Sequence, residues 1–261
     1  LNAPPRLSLS GVRKAFGALP VLGDLSLFVG AGEFVSILGP SGSGKSTTFK
    51  LLTGALRPDG GDIAVDGRPI STVSSSAAAA PFAFMPQRDA LLPWRRIIDN
   101  VTLGLEIQGV PRRAARARVA PLFAEFGLAG FERHYPAQLS GGMRQRAALL
   151  RTVVQNRGIL LLDEPFGALD ALTRAALQRW LERMWERHRW TILLITHDVR
   201  EAVFLSDRVY VLSERPARVI REVAIPLPRP RTQSDLAQEA VARLEAELLE
   251  TLIGQDAEAG Q

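Results

Sequence analysis

The run FVSILGPSGSGKSTTFKLL, residues 34–52, constrains the fold more than any other stretch of the chain. Phe34–Leu38 reads as a buried strand, and a helix is expected from near Lys45 to about Leu52. Between them lie Gly39, Pro40, Ser41, Gly42, Ser43 and Gly44, followed by Lys45, Ser46 and Thr47. This is a full G-x-x-x-x-G-K-S pattern in strand-to-helix context. Glycines leave backbone N–H groups open to a ligand, and a helix start adds unpaired N–H groups and a positive dipole end. Phosphate is the anion that suits such a loop. Lys45 can reach the β and γ phosphates of a nucleotide, Ser46 can give an oxygen to magnesium, and Thr47 supports the helix start. The plainer alternative is a glycine-rich turn that merely precedes a helix.

Other apolar runs place this loop in a larger pattern. Residues 7–12 and 25–29 read as short strands separated by the turn-like AFGALP, and DGGDIAVDGRPI supplies a turn and a further strand. STVSSSAAAA, residues 71–80, reads either as an irregular loop or as a short alanine-rich helix. Helices are expected over 97–107, 112–127 and 171–188. Buried strands are expected in GILLLDE and WTILLIT, with DRVYVLS and RVIREVAI following. IPLPRPR breaks the pattern before a terminal helix over 236–253. Strand, helix, strand repetition indicates an α/β core with a largely parallel sheet.

A chain of 261 residues, 46% hydrophobic and 23% charged, can bury a sizeable core and fits a globular class. Its net charge of +5 suits nucleic acid or an acidic membrane surface, but also an ordinary arginine-rich surface. The arginines interleaved with alanines in 112–127 read as a solvated helix face. With no cysteine, disulfides and zinc fingers are excluded, and three histidines leave little for a histidine metal centre. LNAPPRLSLSGVRK lacks the apolar region of a secretory signal, and no uninterrupted apolar run reaches spanning length. Work at a membrane would therefore go through a partner or the surface.

Further residues carry chemistry. In LLLDEP, Asp163 sits where a strand-end carboxylate can hold Mg²⁺, and Glu164 can orient water for attack on a γ phosphate. Two acids at a solvated strand end are the alternative. His197 in LLITHD can bond the γ phosphate and the attacking water, and Gln87 in FMPQRD can contact magnesium or water. Either could equally serve only the local structure. LSGGMRQRAALLRTV, 139–153, sets a serine and two glycines before a basic helix. It is an anion site or a serine-capped helix after a turn.

Taken together, these motifs resemble the nucleotide-binding subunits of ATP-binding cassette transporters over about residues 6–225. The correspondence runs through the Walker A loop at Gly39–Thr47, the Q-loop at Gln87 and the signature at Leu139–Arg146. It continues through Walker B at Ile159–Glu164, the D-loop at Ala168–Asp170 and the switch histidine at His197. The resemblance implies an α/β P-loop NTPase core with a mostly parallel sheet, an antiparallel β subdomain and a helical subdomain. It divides the chain into 1–88 and 158–225 as the two parts of the ATP-binding core, 89–157 as the helical signature subdomain, and 226–261 as linker and C-terminal helix. It implies ATP and Mg²⁺, with Ser46, Gln87 and Asp163 toward the metal. Glu164, His197, Gln87 and Lys45 would be catalytic, with Glu164 as base.

The family pairs two cassettes head to tail, so Ser140, Gly141 and Gly142 would hold the γ phosphate bound by a second copy, and Asp170 would link the copies. Phe16 matches the aromatic position that stacks on adenine, and its alternative is a core aromatic. The segment after Gln87 normally meets a permease subunit. Leu91, Leu92, Pro93 and Trp94 are candidate contacts, or else subdomain core. LLPWRRIIDNVTLGLEIQGV and ITHDVREAVFLSDRVYVLSERPARV resemble importer subunits for nitrate, sulfonate and taurine, and MPQRDALLPW is similar to systems for thiamine pyrimidine precursors. SSSAAAAP departs from the glycine-rich, charged phrase usual in the nitrate and sulfonate group. Implied partners are a second copy, transmembrane permease subunits and, indirectly, a solute-binding protein, with no nucleic acid. The implied place is peripheral, on the cytoplasmic face of the inner membrane. The rival reading is a soluble ATPase of the same cassette type acting on nucleic acid or ribosomes.

Overall fold

The computed structural model describes residues 5–70, 80–232 and 234–258. Apart from Ala80, the STVSSSAAAA segment lies outside the described residues. The chain divides into two compact units: Leu1–Val73 with Arg179–Gln261, and Ser74–Gln178.

The first unit opens with β1 (Leu7–Phe16), β2 (Leu19–Val29), β3 (Phe34–Leu38), α1 (Lys45–Leu52), β4 (Gly60–Val65) and β5 (Arg68–Pro69). The second unit contains β6 (Phe82–Met85), α2 (Ile97–Val101), α3 (Leu103–Ile107), α4 (Arg112–Val119), α5 (Leu122–Glu125), α6 (Gly141–Val153) and β7 (Ile159–Asp163). Helix α7 (Ala171–His188) starts in the second unit and ends in the first. The first unit then resumes with β8 (Thr191–Thr196), α8 (Val199–Leu205), β9 (Arg208–Leu212), β10 (Ala217–Ala224) and α9 (Glu239–Glu258).

Strands of the first unit lie in the order β5-β4-β1-β2-β10-β9-β3-β8. Parallel pairing joins β3 to both β8 and β9, with Phe34 opposite Ile192 and Leu38 opposite Thr196. Every residue of β3 and of β8 is buried. That is the mark of parallel strands covered on both faces, and it explains why FVSIL and TILLIT show no alternation in sequence. The β1, β2 and β4 strands pair antiparallel instead. In the second unit β6 and β7 pair parallel, with Phe82 opposite Ile159. The chain is thus α/β, with buried parallel strands and a set of antiparallel strands.

Three expectations are corrected. The first two strands are longer than 7–12 and 25–29, because the turn shrinks to residues 17–18. Asp59 anchors the extension by accepting from Lys14 Nζ and the Ala15 amide, each at 2.7 Å. The helix expected over 112–127 is broken into α4 and α5 around Pro121, whose ring nitrogen has no hydrogen to donate. Helix α8 was not anticipated. Asp198 caps it by accepting from the Glu201 amide at 3.1 Å.

IPLPRPR has a buried purpose. Arg231, 4% exposed, donates from Nη1 to the carbonyls of Val203, Phe204 and Ser206, at 3.1, 3.2 and 2.7 Å. The first two are carbonyls of the last turn of α8, which lack helical partners, and Ser206 is its C-cap. Its Nη2 and Nε also hold the Leu227 carbonyl. Burial and the nearby charge of Arg229 pull the guanidinium down to about 10, so it stays cationic at neutral pH. Arg229 lies 3.9 Å over the Trp185 ring and bonds Asp207 and the Leu205 carbonyl. The segment before α9 is therefore fastened to the end of α8. Arg231→Met should cost about 3 kcal/mol, since several buried acceptors lose their donor at once. Urea unfolding measures this, and a loss below about 0.5 kcal/mol would show that the clamp does not hold the tail.

Candidate nucleotide site

The first unit contributes the glycine loop. Strand β3 delivers the chain to Gly39, and α1 begins at Lys45, so the loop must reverse direction within a few residues. Gly44 makes this possible. It takes the left-handed conformation at φ 91°, and a Cβ there would lie 2.8 Å from Leu22 Cδ2. Gly39 is similarly crowded: a Cβ would stand 3.0 Å from Ser43 Oγ and 3.2 Å from Leu212 Cβ. Lys45 is 6% exposed, and its ammonium donates to the carbonyls of Gly39 and Pro40, both at 2.7 Å. Ser43 is buried and its Oγ has no hydrogen-bond partner. Ser41, Gly42 and Ser46 are exposed, and Thr47 is half-buried. No acid stands in the first turn of α1.

These observations fit a phosphate. Amide donors, a helix start and a cation converge where side chains are kept out. Phe16, the candidate for stacking on adenine, is 48% exposed at the end of β1, with Lys14 Nζ 5.8 Å from its ring centre. It is not a core aromatic. His197 is exposed at the end of β8, directly before the Asp198 cap.

The second unit contributes the acids and the signature. Strand β7 ends at Asp163, and Glu164 follows at φ 44°, a left-handed conformation uncommon outside glycine. Gln87 donates from Nε2 to Glu164 Oε2 at 3.0 Å, so two residues far apart in sequence meet at one carboxylate. A strained backbone at an acid held by an amide marks a position built for more than packing. Among the described residues no group of three or more His, Cys, Asp or Glu could hold a metal ion. The Asp163 carboxylate at the end of β7 is an oxygen ligand of the type magnesium takes.

Ser140 caps α6 by accepting from the Met143 amide at 3.3 Å, and it is exposed. Its own hydroxyl hydrogen is left for an outside acceptor. A Cβ on Gly142 would come within 2.6 Å of Thr173 Cγ2, so this glycine is required by close packing against the start of α7. Gly141 is freer, with Leu169 Cδ2 at 3.4 Å from such a Cβ. Asp170 accepts from the Thr173 amide at 3.0 Å and caps α7. Hydrogen bonds from the Thr173 hydroxyl and amide hold its carboxyl below the ordinary value.

Sequence reasoning grouped Leu91, Leu92, Pro93 and Trp94 together, and the structure separates them. Leu91 is buried and Leu92 half-buried, while Pro93 is exposed and Trp94 is 73% exposed. Asn100, which sequence reasoning did not single out, shapes this loop. Fully buried, it accepts from the Leu92 amide at 2.6 Å and donates to the carbonyls of Leu92, Arg95 and Arg96. Beside it, Asp99 pairs with Arg112 and Arg116. Burial acts to raise its carboxyl, but the arginine hydrogen bonds outweigh it and hold the group below its ordinary value.

A glycine-cradled cation at a helix start, with strand-end acids and a serine-capped signature, defines a nucleoside-triphosphate-hydrolysing cassette. The chain belongs to the ABC transporter family, whose pattern matches residues 22–167. It is 46% identical over 207 residues to the formylaminopyrimidine import ATP-binding protein ThiZ of Halalkalibacterium halodurans, covering 79% of each chain. To the aliphatic sulfonates import ATP-binding protein SsuB 1 of Rhizobium johnstonii it is 41% identical over 256 residues, covering 98% of this chain and 89% of the relative. The dimeric structure of the bacterial ABC transporter cassette MJ0796 superposes with a TM-score of 0.73 at 29% identity, over 85% of this chain and all of that one. A second structure of that cassette, in a post-hydrolysis state with ADP and Pi bound, gives the same values.

The packing reading of Gly142 is testable. Gly142→Ala should destabilise the chain by about 1 kcal/mol, because the added methyl overpacks against Thr173. In a Thr173→Ser background, which removes that methyl but keeps the hydroxyl, the cost should vanish in thermal unfolding. An equal cost in both backgrounds would refute the packing role.

Proposed function

We propose that this chain is the ATP-hydrolysing subunit of a solute importer, working as a pair of cassettes beneath a membrane permease. The observation that carries this reading is the intact hydrolytic set: a buried Lys45 in its glycine loop, and a Glu164 of left-handed backbone whose carboxylate accepts from Gln87. A degenerate partner-binding module would have no reason to keep either. The names of the relatives support import, and those relatives align along 79% and 98% of the chain.

Each residue then has a part. The Gly39–Gly44 amides and Lys45 hold the β and γ phosphates, and Phe16 stacks on the adenine. Ser46 and Asp163 are oxygen donors to magnesium, with Gln87 toward the metal and the water. When bound there, the ion would supply positive charge against the phosphates. Glu164 takes the proton of the attacking water, and His197 bonds the γ phosphate. Ser140, Gly141 and Gly142 face the γ phosphate bound by the second copy, and Asp170 stands at the contact between copies. The dimeric cassette structures support this pairing.

Among the described residues no helix is long and apolar enough to cross a membrane. In this reading the chain works with permease subunits, with Trp94 as the anchor, at the cytoplasmic face of the inner membrane, as the import names of its relatives support. A solute-binding protein completes the importer. The cargo is a small organic anion or related nutrient of the nitrate, sulfonate, taurine or thiamine-precursor type. A role on nucleic acid or ribosomes is less favoured, since the relatives named above are import proteins.

Glu164→Gln should keep magnesium-ATP binding, measured by equilibrium dialysis, while phosphate release falls at least about 100-fold. Hydrolysis near the parent rate would remove Glu164 from the role of base. Loss of binding as well as turnover would assign it to holding nucleotide.

A further inference from the structure

A second cation stands beside the glycine loop. Strand β9 ends at Leu212 and β10 begins at Ala217, so residues 213–216 turn the chain between two paired strands. Ser213 closes this turn. Its amide donates to the Arg218 carbonyl at 2.9 Å, and its Oγ accepts from the Arg218 amide at 3.0 Å and donates to the Glu214 carbonyl at 2.8 Å. Pro216 sets the turn against β2, where a Cβ on Gly23 would stand 3.2 Å from Pro216 Cβ. The side chain presented by this turn is that of Arg215. A Cβ on Gly42 would lie 3.3 Å from its Nη2, 3.8 Å from its Cζ and 3.9 Å from its Nε. The guanidinium thus lays its Nε–Nη2 edge along the apex of the loop. Gly42 takes φ 82° there, a conformation that suits glycine.

Water hydrates any exposed arginine, so the exposure of Arg215 alone says little. Its place says more. Among the described residues no carboxylate or carbonyl engages its side chain, whereas Arg208, on the same β9, is bound to Glu33 and Glu222. Its five N–H donors are open beside a loop whose amides suit an anion. The surroundings also fix which part of the anion it meets. Gly44, at the other end of the loop, faces Val21 and Leu22 of β2. Ala217 pairs with Leu22, and Leu19 at the head of β2 pairs with Phe16. Arg215 therefore flanks the loop on the side of the hairpin that carries Phe16. A nucleotide running from Phe16 to Lys45 passes Arg215 with the phosphates nearest its ribose.

We propose that Arg215 is a nucleotide-binding residue whose guanidinium donates to the phosphates that ADP and ATP share. This rests on the nucleotide reading of the glycine loop. Every residue involved belongs to the first unit, so the contact is complete within one copy. It holds product as firmly as substrate.

Equilibrium dialysis of the full chain tests this, with magnesium ADP and with magnesium and a non-hydrolysable ATP analogue. Arg215→Ala should raise both dissociation constants about 10-fold, by the same factor, as one charge-assisted hydrogen bond to phosphate is lost. Arg215→Lys keeps the charge without the planar fork and should fall between parent and Arg215→Ala. Arg218→Ala removes the same charge three residues along the exposed hairpin and should bind as the parent does. Should Arg215→Ala fail to fold, Arg215→Gln gives the same reading. A parent that retains neither ligand brings down the nucleotide reading and this proposal with it. With a parent that binds, unchanged affinity in Arg215→Ala, a loss confined to the ATP analogue, or an equal loss in Arg218→Ala would overturn the proposal alone.

Discussion

A buried ammonium resting on two peptide carbonyls is the interaction on which the rest depends. Lys45 sits at the first turn of α1, where the helix already presents positive charge, and Gly39 and Pro40 supply the oxygens that make this tolerable. The arrangement demands a loop that folds back over its own helix, and so it demands glycine at position 44. It also demands that β3 be fixed on both sides, by β8 and β9, so that Gly39 arrives in the same place in every molecule. An anion arriving there would exchange one set of charge-assisted hydrogen bonds for stronger ones.

Much of this was legible in the sequence because its signals are local. FVSIL, TILLIT and ILLLD are continuous apolar runs, and such runs have few other places to go than a covered parallel sheet. The glycine loop, the strand-end acids and the serine-capped α6 follow from short-range chemistry, and the structure places each at the end of the element expected to carry it. Phe16 was open between adenine platform and core residue, and its exposure decides against the core.

What escaped was set by contacts distant in sequence. Arg231 reads as part of a proline-rich linker, and only the fold reveals that it terminates a helix more than twenty residues upstream. Asn100 lies in a helical apolar pattern, where nothing in the periodicity marks an amide serving four backbone groups of a neighbouring loop. Gly142 was read as making room for a ligand. The structure adds a second demand, from Thr173, which a sequence scan has no means to see. The division of LLPW into a buried leucine and an exposed tryptophan is likewise fixed by what packs beneath the loop.

The amide at Asn100 has a consequence for how the protein ages and varies. It differs from an aspartate by a single heavy atom, and slow spontaneous deamidation or one nucleotide substitution makes that exchange. The product would turn a carboxylate toward the three carbonyls that now receive hydrogens, with no donor left to answer them. A change nearly invisible in volume would therefore spring the loop that carries Trp94, while the phosphate loop of the other unit stayed as it was.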